Sequence, residues 1–330
     1  MRTRCALLSL AFLVAGRPGA AQILKVADLN TQQIRALDRA RTVVVLQGGM
    51  LEEHGPYLPA FTDGVLSDRL TAAIAEGVVA QKRGWTVLVF PPVSVGASGS
   101  NEIGGQFRFP GTYAVRPSTL RSIYMDLATE LGEQGFKWIM VVHVHGSPLH
   151  IGALDDAGDF FHDTYGGQMV NLWGLLPVLG GWGNAMSIMT AEQKKDDGLS
   201  LHGGADEHSM MLYLAPQLVS PDYRRAPTVS GATYQESFAV AQQPGWPGYI
   251  GAPRHASAAL GKHIWDGFSA AAVKTTLEVL SGTDPSTYPR YLAVLVKNPL
   301  YQNWIQSART QDSTLAERER IWSARRATSP

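Results

Sequence analysis

Cysteine is almost absent from this sequence: Cys5 is the single cysteine among 330 residues. It lies in an N-terminal stretch that we expect to be removed from the mature protein. A mature chain without cysteine excludes disulfide bonds and thiolate metal sites. Any metal must therefore be held by histidine, aspartate and glutamate side chains.

An excess of charge of either sign is also lacking. Lysine plus arginine and aspartate plus glutamate each number 28, so the formal net charge is zero. No overall field would then concentrate nucleic acid or anionic lipid at the surface. We therefore expect a small-molecule partner and neither nucleic acid nor, after removal of the N-terminal stretch, a membrane.

The N-terminal apolar run is too short for a membrane span. The first residues, MRTRCALLSLAFLVAGRPGAAQ, place two arginines before an apolar run from Cys5 to Gly16 and end in small residues up to Ala21. A span requires roughly 18 to 20 apolar residues, so a secretory signal peptide over residues 1–21 is favoured over a membrane anchor. We therefore predict a periplasmic or secreted protein whose mature chain, residues 22–330, is a single domain.

Three apolar runs rich in β-branched residues predict buried strands, namely TVVVLQG (42–48), WTVLVFPPV (85–93) and KWIMVVHVHG (137–146). Apolar residues at helical spacing predict helices over 66–82, 118–134, 208–216 and 257–280. The alternation predicts an α/β fold with a mostly parallel sheet. The segment 221–256, rich in Pro, Gly and Ser, is expected on the surface, and the charged tail 308–330 as a peripheral helix or a frayed end.

Two potential metal ligands follow the first predicted strand in the stretch LEEHGPYLPAFTD (51–63). Alternate side chains of an extended segment share a face, so Glu52 and His54 point together while Glu53 points away. Prolines in the following loop can bring Asp63 back toward them. The alternative is a solvated loop with a helix-capping aspartate.

Two further clusters carry the same side-chain types. His143 and His145 end the third predicted strand, and His202 precedes two glycines and the acidic start of a predicted helix that contains Glu207 and His208. A buried core histidine or an ordinary helix N-terminus would each explain one cluster alone. Imidazole and carboxylate ligands at three strand ends favour Zn²⁺ or Mn²⁺, in a two-metal arrangement that shares a carboxylate.

These segments together resemble the creatininase (creatinine amidohydrolase) family, over about residues 28–280, with 281–330 as a C-terminal extension. The shared stretches are ExHGPxLP with a following Asp63, FPGT (109–112), His145-Gly146, His202-Gly203-Gly204 with Glu207-x-Ser209, and GYIGAPRHASAALGK (248–262). The resemblance implies a three-layer αβα sandwich with a mostly parallel central sheet. It also implies a homo-oligomer, in the family often a hexamer.

By motif position, the resemblance implies five metal ligands for two divalent ions: Glu52, His54, Asp63, His145 and Glu207. Asp63 would bridge the ions, and His202 would be the catalytic residue that handles protons. The chain departs from the family pattern at Tyr57, His143, Pro148, Ala205 and His208. Altered positions of this kind are expected to touch substrate, so we predict substrate contacts for Tyr57, His143 and His208. The resemblance therefore does not identify creatinine itself as the substrate.

The predicted function is an exported, binuclear, metal-dependent amidohydrolase that cleaves the C–N bond of a small, cyclic or open amide with a metal-bound hydroxide, using Zn²⁺ in preference to Mn²⁺. The alternatives are a metal-dependent lactonase or deformylase on the same scaffold and a non-catalytic exported solute-binding protein. The segment 166–184 contains Trp173 and Trp182 among glycines. It is either a mobile cover whose Trp173 contacts substrate or part of the core or of an oligomer contact.

Overall fold

A computed structural model describes residues 21–180 and 186–327. The predicted signal peptide, apart from Ala21, and Trp182 lie outside these residues. Within them, no helix combines the length and the apolar character that a membrane span needs.

Five parallel strands form one sheet in the order β1-β3-β2-β4-β5. Their bounds are β1 Gln22–Lys25, β2 Thr42–Gln47, β3 Thr86–Val89, β4 Trp138–Val142 and β5 Gln168–Asn171. The central strand β2 is buried along almost its whole length, as its run of β-branched residues predicts, because both faces of the sheet are covered. In the register, Val45 lies opposite Val89 of β3 and Met140 of β4.

Helices cover both faces of the sheet. One face packs against α2 (Thr62–Gln81), α6 (Ala205–Leu214) and α8 (Ala258–Val279) through side chains such as Val43 and Val45. The other face packs against α3 (Pro117–Glu133) and α4 (Pro148–Tyr165) through Val44 and Leu46. This alternation along β2 is the period of two that sends successive side chains to opposite faces. The predicted αβα layering is therefore confirmed.

The remaining helices are shorter or lie late in the chain: α1 Thr31–Arg35, α5 Ala191–Asp197, α7 Tyr234–Ala241, α9 Tyr291–Leu295 and α10 Pro299–Ala327. Between α2 and α3, a 3-10 helix spans Ser100–Gly104. The charged tail is thus helical through Ala327, and α10 begins at Pro299, upstream of the predicted tail.

Three expectations differ from the structure. The strands predicted to end at 93 and 146 end at Val89 and Val142, so His143 and His145 follow β4 rather than lie within it. The segment 221–256, predicted to lie on the surface, contains α7, and its Tyr249 and Ile250 are fully buried. Its glycines allow the chain to enter the core rather than wrap around it.

Candidate metal centre

Glu52 lies in the loop that leaves the carboxyl end of β2. Its backbone N–H donates to the carbonyl of Ala60 at 2.8 Å, which closes the proline-containing loop between β2 and α2. The side chain is buried, and its Oε1 accepts a 2.6 Å hydrogen bond from the backbone N–H of Ser100. One carboxylate oxygen is thus held by the backbone, and Oε2 faces the imidazole of His145.

His54, two residues further, is buried and oriented by its own loop. Its Nδ1 lies 3.0 Å from the carbonyl oxygen of Glu52. Because a carbonyl can only accept, Nδ1 carries the proton and Nε2 presents its lone pair. That Nε2 lies 3.2 Å from Oδ1 of Asp63 and 3.8 Å from Oε2 of Glu207. A neutral imidazole would here point its lone pair at two carboxylates.

Asp63 lies in the first turn of α2, where the helix dipole favours a carboxylate. Its two oxygens face different imidazoles: Oδ1 is 3.2 Å from Nε2 of His54, and Oδ2 is 3.1 Å from Nδ1 of His145. The side chain is 3% exposed. A carboxylate between two imidazoles has the geometry expected of a ligand that two metal ions share.

His145 follows β4 and repeats the arrangement of His54. Its Nε2 lies 3.1 Å from the carbonyl oxygen of Ser98, so Nδ1 is the nitrogen left for the site. Nδ1 lies 2.9 Å from Oε2 of Glu52 and 3.1 Å from Oδ2 of Asp63. A backbone acceptor behind each imidazole is the common way in which proteins orient histidine ligands toward a metal.

His202 and Glu207 approach from the start of α6. The backbone N–H of Gly203 donates to Oε2 of Glu207 at 2.5 Å, which fixes the carboxylate near Nε2 of His54. His202 directs Nε2 to the carbonyl of Glu53 in a short hydrogen bond. Its Nδ1 lies 3.9 Å from Oε1 of Glu52, and its ring centroid lies 4.3 Å from that of His54.

The side chains form three sets of potential ligands, and within each set the ligand atoms lie within 4.8 Å of one another. The sets are Glu52, Asp63 and His145; His54, Asp63 and Glu207; and Glu52, His54 and His202. The first two sets share Asp63 and contain all five sequence-predicted ligands. All the members except Glu207 are buried.

The donor atoms fit a divalent metal. Among the described residues, Nε2 of His54 and Oδ2 of Asp63 are buried and make no hydrogen bond. Burying such atoms without a partner is costly, and a cation between the lone pair and the carboxylates would remove that cost. Nitrogen and oxygen donors without sulfur suit Zn²⁺ and Mn²⁺.

The electrostatics of the site point to the same need for positive charge. Burial alone would lower the pKa of His54, but Glu207, Asp63 and Glu52 outweigh it and raise that pKa to about 10. Burial alone would raise the pKa of Glu52, but His145, His202 and His54 lower it well below its usual range. The raised pKa of His54 shows that the carboxylates favour positive charge at this nitrogen, so a metal ion would compete there with a proton.

Glu53 is buried behind the site rather than solvated. Its Oε1 accepts a 2.9 Å hydrogen bond from Ser100 Oγ, and Oε2 accepts a short one from Thr112. Burial and then the negative charge of Glu52 raise the pKa of Glu53 to about 8. Glu53 belongs to none of the three ligand sets found among the described residues.

A cleft of about 490 Å³ opens onto the candidate ligands. Its lining includes Glu52, Asp63, His145, His202 and Glu207. Trp173 also lines it, is 6% exposed, and packs against Phe268 with ring centroids 5.7 Å apart. The tryptophan that we considered for a mobile cover is therefore a core residue whose surface contributes to the cleft wall.

The other three residues predicted to contact substrate lie outside the cleft lining. Tyr57 stands 6.2 Å, between ring centroids, from His208, and His208 uses Nδ1 on the carbonyl of Gly204 at 3.0 Å. His143 lies behind the ligands, where its Nδ1 accepts a 3.1 Å hydrogen bond from the backbone of Gly49. Burial lowers the pKa of His143 and that of His208 to about 3, which keeps both imidazoles neutral.

Sequence reasoning missed much of the cleft wall. Tyr234, Tyr291, Tyr301 and Trp304 line it, and they come from α7, α9 and α10. The signal was present as aromatic residues three apart in YQNW (301–304), which share one face of a helix. Nothing local to that segment indicates which part of the molecule this face covers.

A protein-family model described as creatinine amidohydrolase, Creatininase, matches residues 27–276. The chain is 30% identical over 247 residues to a Mycolicibacterium smegmatis protein named mycofactocin precursor peptide peptidase, covering 72% of this chain and 86% of that protein. It is 27% identical over 195 residues to creatinine amidohydrolase from Pseudomonas putida, covering 54% of this chain and 67% of that protein.

Among solved structures, a crystal structure of creatinine amidohydrolase (creatininase) agrees with this fold at a TM-score of 0.59 and 21% identity, covering 79% of this chain and 99% of that chain. Two further creatininase structures, each with a TM-score of 0.58, are described as a manganese form and as a variant of the Zn-Zn type. The likeness shows the fold, and solved proteins of this fold bind manganese or zinc.

Proposed function

This chain belongs to the creatininase family, and from that premise we propose that it is a metal-dependent amidohydrolase. Its substrate is a small amide, cyclic or open, whose C–N bond it hydrolyses. The proposal is supported most by Asp63, whose two carboxylate oxygens face two different imidazoles at 3.2 and 3.1 Å. One additional carboxylate accompanies each imidazole, Glu207 beside His54 and Glu52 beside His145.

We further propose that this arrangement holds two divalent ions. Glu52, Asp63 and His145 would hold one, and His54, Asp63 and Glu207 the other. Two such ions would offset the three carboxylates and leave one net positive charge in a buried site. When bound, Zn²⁺ or Mn²⁺ would supply Lewis-acid activation of water and of the amide carbonyl.

His202 has the position for proton transfer in this mechanism. Its Nε2 donates to the Glu53 carbonyl, so Nδ1, which lies 3.9 Å from Oε1 of Glu52, is the atom that can take up a proton. It would take a proton from the attacking water and deliver it to the leaving nitrogen when the C–N bond breaks. The hydrogen bond to Glu53 keeps the ring oriented, in the way that a second group orients a catalytic base elsewhere.

A peptide bond is the second candidate for the bond cleaved. The Mycolicibacterium smegmatis relative is named as a peptide peptidase, whereas the Pseudomonas putida relative is named for creatinine. Both names describe hydrolysis of an amide C–N bond. This common chemistry favours an amidohydrolase over the lactonase, deformylase and solute-binding alternatives.

The test uses protein that has been stripped of metal and reloaded with Zn²⁺ or Mn²⁺. We expect about two ions per chain by elemental analysis. From a panel of lactams, cyclic ureides, formamides, short peptides and lactones, we expect turnover of at least one amide, lost with chelator. His202→Asn should keep the metal content and lower kcat by about 10²- to 10⁴-fold. Protein that binds no metal would refute the proposal, and turnover of lactones alone would favour a lactonase.

We also propose that the protein is exported and assembles into a homo-oligomer, with a hexamer as the expected state. Export is supported by the N-terminal signature of residues 1–21, and assembly by the family alone. N-terminal sequencing of the mature protein should begin near Gln22, and light scattering at micromolar concentration should give a multiple of the chain mass. An uncleaved N-terminus or a monomer mass would contradict these two proposals respectively.

A further inference from the structure

The chain beyond the family-matched residues returns to the candidate metal centre. The family model ends at residue 276, and α9 and α10 follow it. Four residues from these two helices line the cleft: Tyr291, Val294, Tyr301 and Trp304. We call this set the C-terminal wall. The extension therefore supplies part of the surface that a substrate at the metal centre would meet.

The C-terminal wall is fixed to the rest of the molecule at both ends. Before α9, Arg290 donates to the carboxylate of Asp159 on α4 at 2.6 and 3.3 Å. In α10, the indole N–H of Trp304 lies 3.4 Å from Oε2 of Glu102. Tyr301 and Trp304 are each less than a tenth exposed and belong to the same apolar core as the sheet.

Trp304 also connects to the candidate metal centre through Glu102 and Ser98. Glu102, which accepts from the indole, also accepts from Ser98 Oγ at 2.5 Å. The carbonyl of Ser98 in turn accepts from His145. Ser98 has a φ of 63°, a conformation that costs free energy for a residue with a side chain and that needs support from its neighbours. The wall is therefore built onto the loop that orients a candidate metal ligand.

Aromatic rings continue the wall toward α7. Tyr301 lies 5.8 Å from Tyr234 and 5.7 Å from Trp304, measured between ring centroids. Tyr234 is 40% exposed and Val294 is 52% exposed, so apolar surface remains uncovered beside the buried rings. Rings at these distances form a rigid apolar surface that loses little entropy when a ligand binds.

The charged side chains that line the cleft, histidine apart, are all acidic. The described residues that line it include four acids, Glu52, Asp63, Asp206 and Glu207, but neither lysine nor arginine. An anionic group on the substrate would thus find no cationic side chain on the wall. An apolar or aromatic group would find one whole side of the cleft suited to it.

We propose that the C-terminal wall determines substrate specificity, by binding an apolar group of aromatic size that the substrate carries next to the scissile amide. The preferred substrates are neutral or cationic in that part. This inference rests on the proposed function, since it places the amide at the metal centre. It gives residues 291–304, which lie outside the family-matched residues 27–276, a role in choosing the substrate.

Three hydroxamates test the proposal without a requirement for turnover, because a hydroxamate binds directly to a metal ion. Isothermal titration with Zn²⁺-loaded protein compares acetohydroxamate, 3-phenylpropionohydroxamate and the monohydroxamate of succinic acid. We expect the phenyl compound to bind at least about tenfold more tightly than acetohydroxamate, because its ring is transferred from water to the apolar surface of the wall. The succinate compound, which ends in a carboxylate, should bind no more tightly than acetohydroxamate.

Wall variants should remove the preference and keep the metal. Val294→Asp alters the C-terminal wall, and Tyr234→Ala alters the ring on α7 that adjoins the wall. Both change exposed side chains, so folding should be preserved. Each should weaken binding of the phenyl compound about tenfold and leave the acetohydroxamate affinity and the metal content unchanged. The matched controls, Leu218→Asp and Tyr113→Ala, alter exposed residues outside the cleft lining and should change neither affinity.

The outcomes separate the wall from the metal centre. If acetohydroxamate and the phenyl compound bind with equal, metal-dependent affinity, the wall proposal is wrong and the proposed metal centre stands. If the phenyl preference is present but survives Val294→Asp, the specificity lies elsewhere and the wall proposal is again wrong. If neither compound binds to protein shown to contain zinc, the accessible metal centre of the proposed function fails, and the wall proposal fails with it.

Discussion

At the scale of single residues, each imidazole of the candidate centre divides its two nitrogens between backbone and site. His54, His145 and His202 each turn one nitrogen to a carbonyl oxygen. The other nitrogen of each faces a carboxylate. The backbone thus selects the tautomer, and this choice decides which atom is available to a metal or a proton.

Asp63→Ala should reduce the content of both metal ions, because Asp63 belongs to both ligand sets. His145→Ala removes a member of one set and should leave about one ion per chain. The matched control is Glu53→Gln, which keeps the shape of a buried side chain outside the ligand sets and should bind as much metal as the wild type. Elemental analysis after dialysis measures the content, and equal losses in Asp63→Ala and Glu53→Gln would contradict the assignment.

At the scale of elements, the close approach of β2 and β4 depends on a residue without a side chain. A Cβ at Gly48, just after β2, would lie 1.7 Å from Nε2 of His143, just after β4. His143 in turn accepts a hydrogen bond from the backbone N–H of Gly49. The two segments that carry Glu52 and His145 can therefore pack this closely without displacing His143 only with glycine at this position.

Gly48→Ala should lower the free energy of unfolding by about 1–3 kcal/mol, because His143 must move within a packed core. The matched control is Gly267→Ala, on the exposed side of α8, where an added Cβ meets no atom within 4 Å. That variant should be more stable than the wild type by about 0.5–1 kcal/mol, since alanine favours a helix over glycine. Urea denaturation distinguishes the two, and a Gly48→Ala protein of unchanged stability would show that His143 relocates freely.

At the scale of the whole molecule, the extension is part of the core rather than an appendage. Leu295, Tyr301, Trp304 and Ala308 belong to the same apolar cluster as Val43 and Val45 of the central strand. The junction with α4 is polar: Arg290 binds Asp159 and lies 3.8 Å from Asp155. Burial raises the pKa of Asp155 to about 6, although Asn171 and Arg290 act in the opposite direction.

This raised pKa predicts a pH-dependent stability. In the unfolded chain an aspartate titrates near 4, so between about pH 4 and pH 6 the folded protein binds more protons than the unfolded one. The contribution of Asp155 to the free energy of unfolding should then fall by about 3 kcal/mol as the pH rises through this range. Asp155→Asn, which cannot ionise, should therefore gain stability relative to the wild type between pH 4 and pH 7.

Urea denaturation of both proteins at each pH measures this difference. Asp163→Asn, which alters an exposed carboxylate two turns further along α4, is the control and should keep the pH-dependent fall of the wild type. A difference between Asp155→Asn and the wild type that does not change from pH 4 to pH 7 would contradict the prediction.

The sequence by itself determined the α/β alternation, the buried character of the central strands and the grouping of Glu52, His54, Asp63, His145, His202 and Glu207 as candidates. These are local properties: the period of apolar residues reports burial, and the lack of cysteine limits the ligand types. The resemblance assigned the five ligands by motif, and the structure brings those side chains together in two sets that share Asp63.

Only the tertiary structure decided which surfaces meet. Tyr57, His143 and His208 are close to the ligands in sequence yet lie outside the cleft lining, whereas Tyr301 and Trp304, more than ninety residues beyond Glu207, line the cleft. The burial of 246–252 and the path of α10 likewise depend on contacts between distant segments. Local pattern fixes which face of an element is apolar, but the partner of that face follows from packing of the whole chain.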